Sequence, residues 1–121
     1  MVPKTIRLPT SDVNRVLKSG KRWSTPAFRC TALINGQKGN RYAVIVRTKK
    51  IKTAVGRAYT KRIIREWLRL YTHTLPQGFD CTIGCTQEIT KTNRQEAVSG
   101  LQSALCETFS SIVLPHPAVQ S

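Results

Sequence analysis

Cationic side chains recur at every fourth position in the middle of the chain. This ladder consists of Arg57, Lys61, Arg65 and Arg69, with Arg62 at its edge. Residues four apart lie on one face of an α-helix, so the ladder would present one cation on each turn. Like charges at this spacing repel one another, so the pattern favours a regularly spaced anionic partner such as a phosphate backbone.

More cations precede the ladder, and together the two groups form a candidate RNA-binding region. It contains one acidic residue, Glu66, and nine basic ones: Arg47, Lys49, Lys50, Lys52, Arg57, Lys61, Arg62, Arg65 and Arg69. A solvated helix face normally mixes charges of both signs, and a lipid-bound helix would not be expected to carry such a broad apolar arc with bulky aromatic residues. If about seven phosphates are contacted, a plot of the logarithm of RNA affinity against the logarithm of salt concentration should have a slope of about −5 to −6.

Composition supports a polyanionic partner and excludes a membrane span. The 121 residues include 20 Lys and Arg against six Asp and Glu, which gives a formal charge of +14. Eighteen of these basic residues precede position 70, so we expect the first half of the chain to face the partner. The longest apolar run, Tyr42 to Val46, is far shorter than the roughly 18 residues a span needs, and residues 1–20 contain no signal-like apolar core. We expect one cytoplasmic domain over residues 1–121.

No catalytic or metal-binding constellation is present in the sequence. The six carboxylates are scattered, without a close pair that could hold metal ions or act as acid and base. Cys30, Cys81, Cys85 and Cys106 form no C-x-x-C pair, and buried apolar thiols are the simpler interpretation. Any chemistry associated with this chain is therefore expected to belong to a partner.

Three segments have the pattern of helices. The longest runs from about Thr53, a candidate N-cap, to Thr72. Its apolar residues fall in one arc at 100° per residue and are expected to pack on a sheet: Val55, Tyr59, Ile63, Ile64, Trp67, Leu68, Leu70 and Tyr71. A short first helix is predicted between an N-cap at Ser11 and a left-handed stop at Gly20, and a last helix from about Asn93 to Ser111.

Three further segments have the pattern of strands. In residues 27–34 every second residue, from Phe28 to Ile34, would lie on one face of a half-buried strand. Tyr42 to Val46 is a compact run rich in β-branched residues, and the turn formers between the two segments predict a hairpin. Residues 79–85 alternate as a strand with one buried face. The order helix, strand, strand, helix, strand, helix predicts an α+β fold, an α–β sandwich of a small mixed sheet with helices packed on it. A basic arm, residues 1–10, and a loose tail, residues 113–121, would flank it.

The segment from Thr48 to Glu66 resembles the signature of the bacterial ribonuclease P protein component family. In that family a strand ending in Ser/Thr-Lys-Lys leads into a helix that reads Ala-Val-x-Arg-Asn-Arg-x-Lys-Arg-x-x-Arg. Here the helix reads Ala-Val-Gly-Arg-Ala-Tyr-Thr-Lys-Arg-Ile-Ile-Arg. The resemblance extends over about residues 6–112 and includes the short first helix that ends at Gly20.

The resemblance implies a ribosomal-protein-like α–β sandwich with a left-handed βαβ crossover. It also implies the function of a protein subunit of ribonuclease P, an endoribonuclease that removes the 5′ leader from precursor tRNA. In that family the RNA subunit carries out the cleavage, so no catalytic side chain is expected in this chain. Its Mg²⁺ would be bound chiefly by that RNA. The implied partners are ribonuclease P RNA and precursor tRNA, with one copy of the protein in the complex. The alternative is a structural RNA-binding protein of a ribonucleoprotein such as the ribosome.

The resemblance also implies roles for individual residues. The family's basic positions are matched by Lys49, Lys50, Arg57, Lys61, Arg62 and Arg65. The family binds the leader in a cleft between the first helix and the sheet, for which the candidates are Val13, Leu17, Phe28 and Thr31. Ala58 and Tyr59 depart from the signature, where the family has Asn and a second Arg. Gly56, unusual inside a helix, suggests close approach of the backbone to RNA.

Overall fold

The computed structural model describes residues 7–47 and 49–113, which contain three α-helices and one four-stranded sheet. In chain order the elements are α1 (Thr10–Ser19), β1 (Lys21–Ser24), β2 (Phe28–Ile34), β3 (Arg41–Val46), α2 (Ala54–Tyr71), β4 (Phe79–Cys85) and α3 (Arg94–Val113). A 3₁₀ turn, Thr72–Thr74, follows α2. The strands lie in the order β1-β2-β4-β3, so the predicted α+β class with a mixed sheet is confirmed.

The predicted hairpin between β2 and β3 is wrong, because β4 lies between them. β4 pairs antiparallel with β2 and parallel with β3, and α2 makes the crossover that the parallel pair requires. The turn formers instead carry the chain past the end of β4. There the Asn40 side chain accepts a hydrogen bond from Phe79 N at 2.8 Å and donates one to Pro76 O at 2.8 Å. β1 was not predicted, since its four residues are all exposed and show no alternation.

β4 is buried on both faces, whereas the sequence predicted one. Asp80 and Thr82 are 0% and 1% exposed, although they alternate with the apolar residues of the strand. The reason is that helices cover both sides of the sheet: α1 packs on β2 and β4 from one side, and α2 and α3 pack on the other. The main core lies in this second layer, where the rings of Phe79 and Phe109 stack with centroids 4.8 Å apart.

The helix predictions hold for α2 and α3 within two residues, but several details of α1 and α2 differ. Thr53 is the N-cap of α2, as predicted, and its Oγ1 accepts a hydrogen bond from Gly56 N at 3.0 Å. The buried arc of α2 is narrower than predicted, because Val55, Leu70 and Tyr71 are exposed. α1 begins one residue before Ser11 and has no side-chain cap at its N-terminus.

Gly20 ends α1 for a different reason from the one predicted. Its backbone is extended rather than left-handed, with φ −80°. A Cβ at this position would lie 2.7 Å from both Val16 O and Ala32 O, so close packing of the helix end against β2 requires glycine. This contact places α1 directly on the sheet.

Two residues just before α1, Arg7 and Leu8, pair with the sheet. Arg7 forms a parallel bridge with Tyr42, and Leu8 N donates to Tyr42 O at 2.8 Å. Leu8 is also buried, so Arg7 and Leu8 do not belong to an irregular arm as predicted, and residues 1–6 of that prediction lie outside the described residues. The predicted tail begins one residue too early, because Val113 belongs to α3, and residues 114–121 are likewise not described. Among the described helices, none is both long and apolar enough to span a membrane.

Candidate nucleic-acid interface

The exposed face of α2 forms an open basic groove of about 560 Å³, here called the α2 groove. Five cations of the predicted ladder region line it, and a sixth comes from the segment before α1: Arg7, Arg57, Lys61, Arg62, Arg65 and Arg69. Ala54 and Ala58 also line the groove, and Glu66 is its one acidic residue. The structure therefore brings the ladder together on one surface, as the four-residue spacing predicts.

The cations of the α2 groove differ in what they contact. Arg69 donates a hydrogen bond to Glu66 at 2.9 Å, and this contact lowers the pKa of Glu66 below its ordinary value. Lys61 and Arg65 form no ion pair with any of the described residues. Arg57 donates to the backbone carbonyls of Ile51 and Lys52 at 2.9 and 3.1 Å. Lys61 and Arg65 are therefore the best placed to neutralise phosphates.

A second basic surface is an open cleft of about 670 Å³ on the α1 side of the sheet, here called the cleft. Of the predicted residues, it is lined by Leu17, Thr31, Arg47 and Lys50. Arg22 and Arg29 line it as well, although the sequence reasoning did not single them out as site residues. Lys49 and Lys52 are exposed on the loop between the cleft and the α2 groove.

Two of the predicted leader-binding residues lie elsewhere. Phe28 is 1% exposed and faces α3, where it lies 3.9 Å from the position a Cβ of Gly100 would take. It is therefore a core residue and does not line the cleft. Val13 lines a separate groove along the edge strand β3, together with Tyr42 and Arg65. Val13 and Leu17 lie four residues apart on one face of α1, but Val13 lines this groove and Leu17, one turn further along, lines the cleft.

One of the missed cations could have been found from the sequence, and two could not. Arg29 lies two residues before Thr31 in β2, so the two side chains share a face of the sheet. Arg22 belongs to β1, whose sequence carries no strand signal. Arg7 reaches the α2 groove through its bridge to β3, which is a long-range contact.

A buried carboxylate fixes α1 beside the cleft. The Asp80 side chain is 0% exposed and accepts hydrogen bonds from Arg15 at 2.7 Å, from Arg41 at 2.7 and 2.8 Å and from Asn35 at 2.9 Å. Burial on its own raises the pKa of Asp80, but the hydrogen bonds from Arg41, Asn35 and Arg15 outweigh it and lower the pKa below its ordinary value. These contacts join α1 to β3 and β4.

The described residues include no group of three or more His, Cys, Asp or Glu side chains placed to hold a metal ion. Asp80 is the carboxylate buried most deeply among them, and its oxygens are taken by the three donors named above. The exposed Glu66 is paired with Arg69. The cations that line the α2 groove and the cleft suit the binding of an anionic polymer.

Comparison with known proteins identifies the family. The sequence model described as Ribonuclease P matches residues 2–108. The chain belongs to the ribonuclease P protein family. It is 34% identical over 109 residues to the ribonuclease P protein component of Chromobacterium violaceum, an alignment that covers 86% of this chain and 89% of that protein.

Solved structures of ribonuclease P proteins share the fold. The protein from Thermotoga maritima superposes with a TM-score of 0.68 at 24% identity, covering 84% of this chain and 96% of that one. The protein from Staphylococcus aureus also gives a TM-score of 0.68, at 23% identity, covering 84% and 99%. The mixed four-stranded sheet with three helices is therefore the fold of ribonuclease P proteins.

The departures from the ribonuclease P signature have structural consequences in α2. Tyr59, where the signature has Arg, has its ring centroid 5.2 Å from the guanidinium carbon of Arg62, at the distance of a cation–π contact. Ala58, where the signature has Asn, lines the α2 groove. A Cβ on Gly56 would lie 2.6 Å from Glu88 Oε2 and 2.7 Å from Thr53 Oγ1. The close approach at Gly56 is thus to the protein itself, which corrects the expectation that it would be to RNA.

Proposed function

We propose that this chain is the protein subunit of a bacterial-type ribonuclease P, which binds the catalytic RNA and the 5′ leader of precursor tRNA and so assists removal of the leader. The observation that carries this proposal is the presence of two separate basic surfaces, the α2 groove and the cleft, on a chain of this family. The proposal places one copy of the protein in each complex and the complex in the cytoplasm.

The α2 groove is suited to the folded RNA subunit. Its six cations come from a helix face and from the segment that bridges to β3, so their backbones are held by regular structure. A cation on each turn of about 5.4 Å can follow a phosphate backbone without reading its bases. Such contacts release counterions, and the affinity should therefore fall steeply with salt.

The cleft is suited to a single strand such as the leader. Arg22, Arg29, Arg47 and Lys50 supply charge, and Thr31 and Thr82 line the cleft between them. The described lining includes no aromatic ring, and Phe28 faces α3 on the other side of the sheet. Binding here would therefore depend on phosphate contacts more than on base stacking, with little preference for leader sequence.

The proposal assigns the chemistry to the RNA. Mg²⁺ bound chiefly by the RNA subunit would supply activation of water and stabilisation of the leaving oxygen. The residues of this chain would hold substrate and RNA together, and none of them is proposed as catalytic. Their effect on the reaction would come from a higher local concentration of leader at the RNA's active site.

The alternative, a structural RNA-binding protein of another ribonucleoprotein, has weaker support. Basic grooves alone would suit either function. The match to the ribonuclease P family, however, covers nearly all of the described residues.

The test is cleavage of precursor tRNA by a bacterial ribonuclease P RNA at low Mg²⁺, with and without this chain. Substrates with a leader of one nucleotide and with a longer leader separate the two surfaces. We expect the protein to raise substrate affinity, and to raise it more for the longer leader. Cleavage and affinity that do not change on addition of the protein would contradict the proposed function.

A further inference from the structure

The described residues 47 and 49–53, here called the loop, connect the two basic surfaces. It follows β3 and leads into α2. Arg47 and Lys50 of this loop line the cleft, whereas Arg57, one turn into α2, lines the α2 groove. The position of the loop therefore decides whether cations from one continuous segment reach both surfaces.

The two ends of the loop are fixed by local contacts. The amides of Lys50 and Ile51 both donate to Arg47 O at 3.1 Å, which forms a turn at the start. The Ile51 side chain is 1% exposed and anchors the middle in the core. Thr53 caps α2 at the end. The backbone carbonyls of Ile51 and Lys52 take no part in these contacts and face Arg57 of α2.

Arg57 binds both of these carbonyls with one nitrogen. Its Nη1 donates to Ile51 O at 2.9 Å and to Lys52 O at 3.1 Å. The Nη1 group has two protons, so both are directed into the loop, and the planar guanidinium is fixed in orientation. A lysine at this position would keep the charge but would lack the planar fork.

We propose that Arg57 is a positioning residue that holds the loop in place, so that Arg47 and Lys50 face the cleft while the α2 groove is occupied. This inference rests on the proposed function, since it concerns how the two RNA-binding surfaces are coupled. It separates Arg57, whose guanidinium binds the loop carbonyls, from Lys61 on the same helix face, whose side chain forms no ion pair or hydrogen bond within the described part of the chain. Arg57 acts on the leader through the loop and need not touch it.

The first test compares Arg57→Lys with Arg94→Lys in the holoenzyme reconstituted with a bacterial ribonuclease P RNA. Arg94 is exposed at the start of α3 and lines neither basic surface, so it is a matched control for the same substitution. The quantity measured is the ratio of affinities for precursor tRNA with a long leader and for mature tRNA. We expect Arg57→Lys to lower this ratio about tenfold, the size expected for loss of hydrogen bonds from a charged donor, and Arg94→Lys to leave it unchanged.

A simple phosphate-binding role for Arg57 gives a different result. In that case Arg57→Lys would preserve the ratio, or would weaken binding of both tRNAs equally, and either result overturns the positioning role. Lys61→Gln provides the contrast, because it removes a charge and should weaken RNA binding without regard to the leader.

The second test needs no RNA. Lys49, Lys50 and Lys52 are trypsin sites within the loop. In limited proteolysis of the free protein, followed by mass spectrometry, Arg57→Lys and Arg57→Gln should speed cleavage at these sites several-fold relative to Lys38, and Arg94→Lys should not. An unchanged thermal midpoint shows that the variants are folded. Loop cleavage at the wild-type rate overturns the inference, whereas a wild-type protein with no response to the leader contradicts the proposed function alone.

Discussion

Two clusters of cationic side chains in this protein have opposite environments. At Asp80, the guanidinium groups of Arg15 and Arg41 meet a carboxylate that is 0% exposed, at 2.7 Å each. On α2, Lys61 and Arg65 line a basic groove with one acidic residue, Glu66, and Glu66 is paired with Arg69. The first cluster joins α1, β3 and β4, and the second faces solvent.

The difference indicates that the position of the acidic residues, more than that of the basic ones, separates cations that are neutralised within the fold from cations that are available to a polyanion. A neutralised and hydrogen-bonded arginine has its donors directed into the fold. An arginine without an acidic neighbour keeps its charge available to a polyanion. The two clusters should therefore respond in opposite ways to substitution: stability should change at Asp80, and RNA affinity should change on α2.

The largest effect is expected for Asp80→Asn. This substitution removes a buried charge while leaving two guanidinium groups directed at it. Breaking a buried pair by removing one partner costs about 3–5 kcal/mol, and we expect the lower end, about 3 kcal/mol, because Arg15 can turn toward solvent. Denaturant unfolding measures this loss. The salt dependence of RNA binding by the folded variant should not change.

Asp12→Asn is the matched control for this prediction. Asp12 contacts the same arginines at 3.5 and 3.6 Å, but its side chain is 30% exposed. We expect a loss below about 1 kcal/mol, as is usual for exposed pairs. Equal losses for the two substitutions would show that burial of Asp80 is not what distinguishes the first cluster.

The next effect is expected for the double substitution Lys61→Ala with Arg65→Ala. Removing two phosphate contacts should reduce the magnitude of the log–log salt slope by about 1.4–1.8 and weaken RNA binding on the order of 30-fold at 0.1 M salt. The thermal midpoint should stay near that of the wild type, since these side chains make no ion pair among the described residues. Filter binding over a salt series measures the slope. Unfolding of the variant would instead show that the two residues stabilise the fold.

The sequence predicted the elements better than their arrangement. α2 could be predicted because its cap, its ladder and its buried positions, such as Ile63 and Ile64, are all local. The strand order could not, because pairing of β3 with β4 depends on contacts across the whole of α2. The turn formers at 35–40 correctly predicted a change of direction but did not specify which strand lies next to β2.

The candidate site was predicted in a similar way. The α2 groove follows from helical spacing, so its cations were found, apart from Arg7. The cleft is formed by residues distant in the chain, and only the period of two along β2 could have added Arg29 to Thr31. Asp80 alternates with apolar residues and therefore resembled a solvent-facing position, because the covering of that face by α1 leaves no local signal.

Acid should weaken the Asp80 cluster by less than Asp80→Asn does. The pKa of Asp80 is lowered in the folded state from its ordinary value of 3.8, so the unfolded chain takes up the proton first. The stabilisation is therefore complete above about pH 5 and is lost as the pH falls through the folded-state pKa. Denaturant unfolding between pH 6 and 3 should show a steeper loss for the wild type than for Asp80→Asn. Parallel curves would assign the acid sensitivity to other carboxylates.

The smallest effect is expected for Glu66→Gln, which removes the acidic residue from the α2 groove. Arg69 and Glu66 are each about half exposed, so the thermal midpoint should not change measurably. Freeing Arg69 should make RNA binding slightly tighter and the salt slope slightly steeper, by less than about one phosphate contact. Glu66→Gln with Arg69→Ala is the control, since it removes both charges and should abolish the gain. If Glu66→Gln weakened RNA binding, the ion pair would be orienting Arg69 toward RNA, and the α2 groove would then contain a structural pair of the kind found at Asp80.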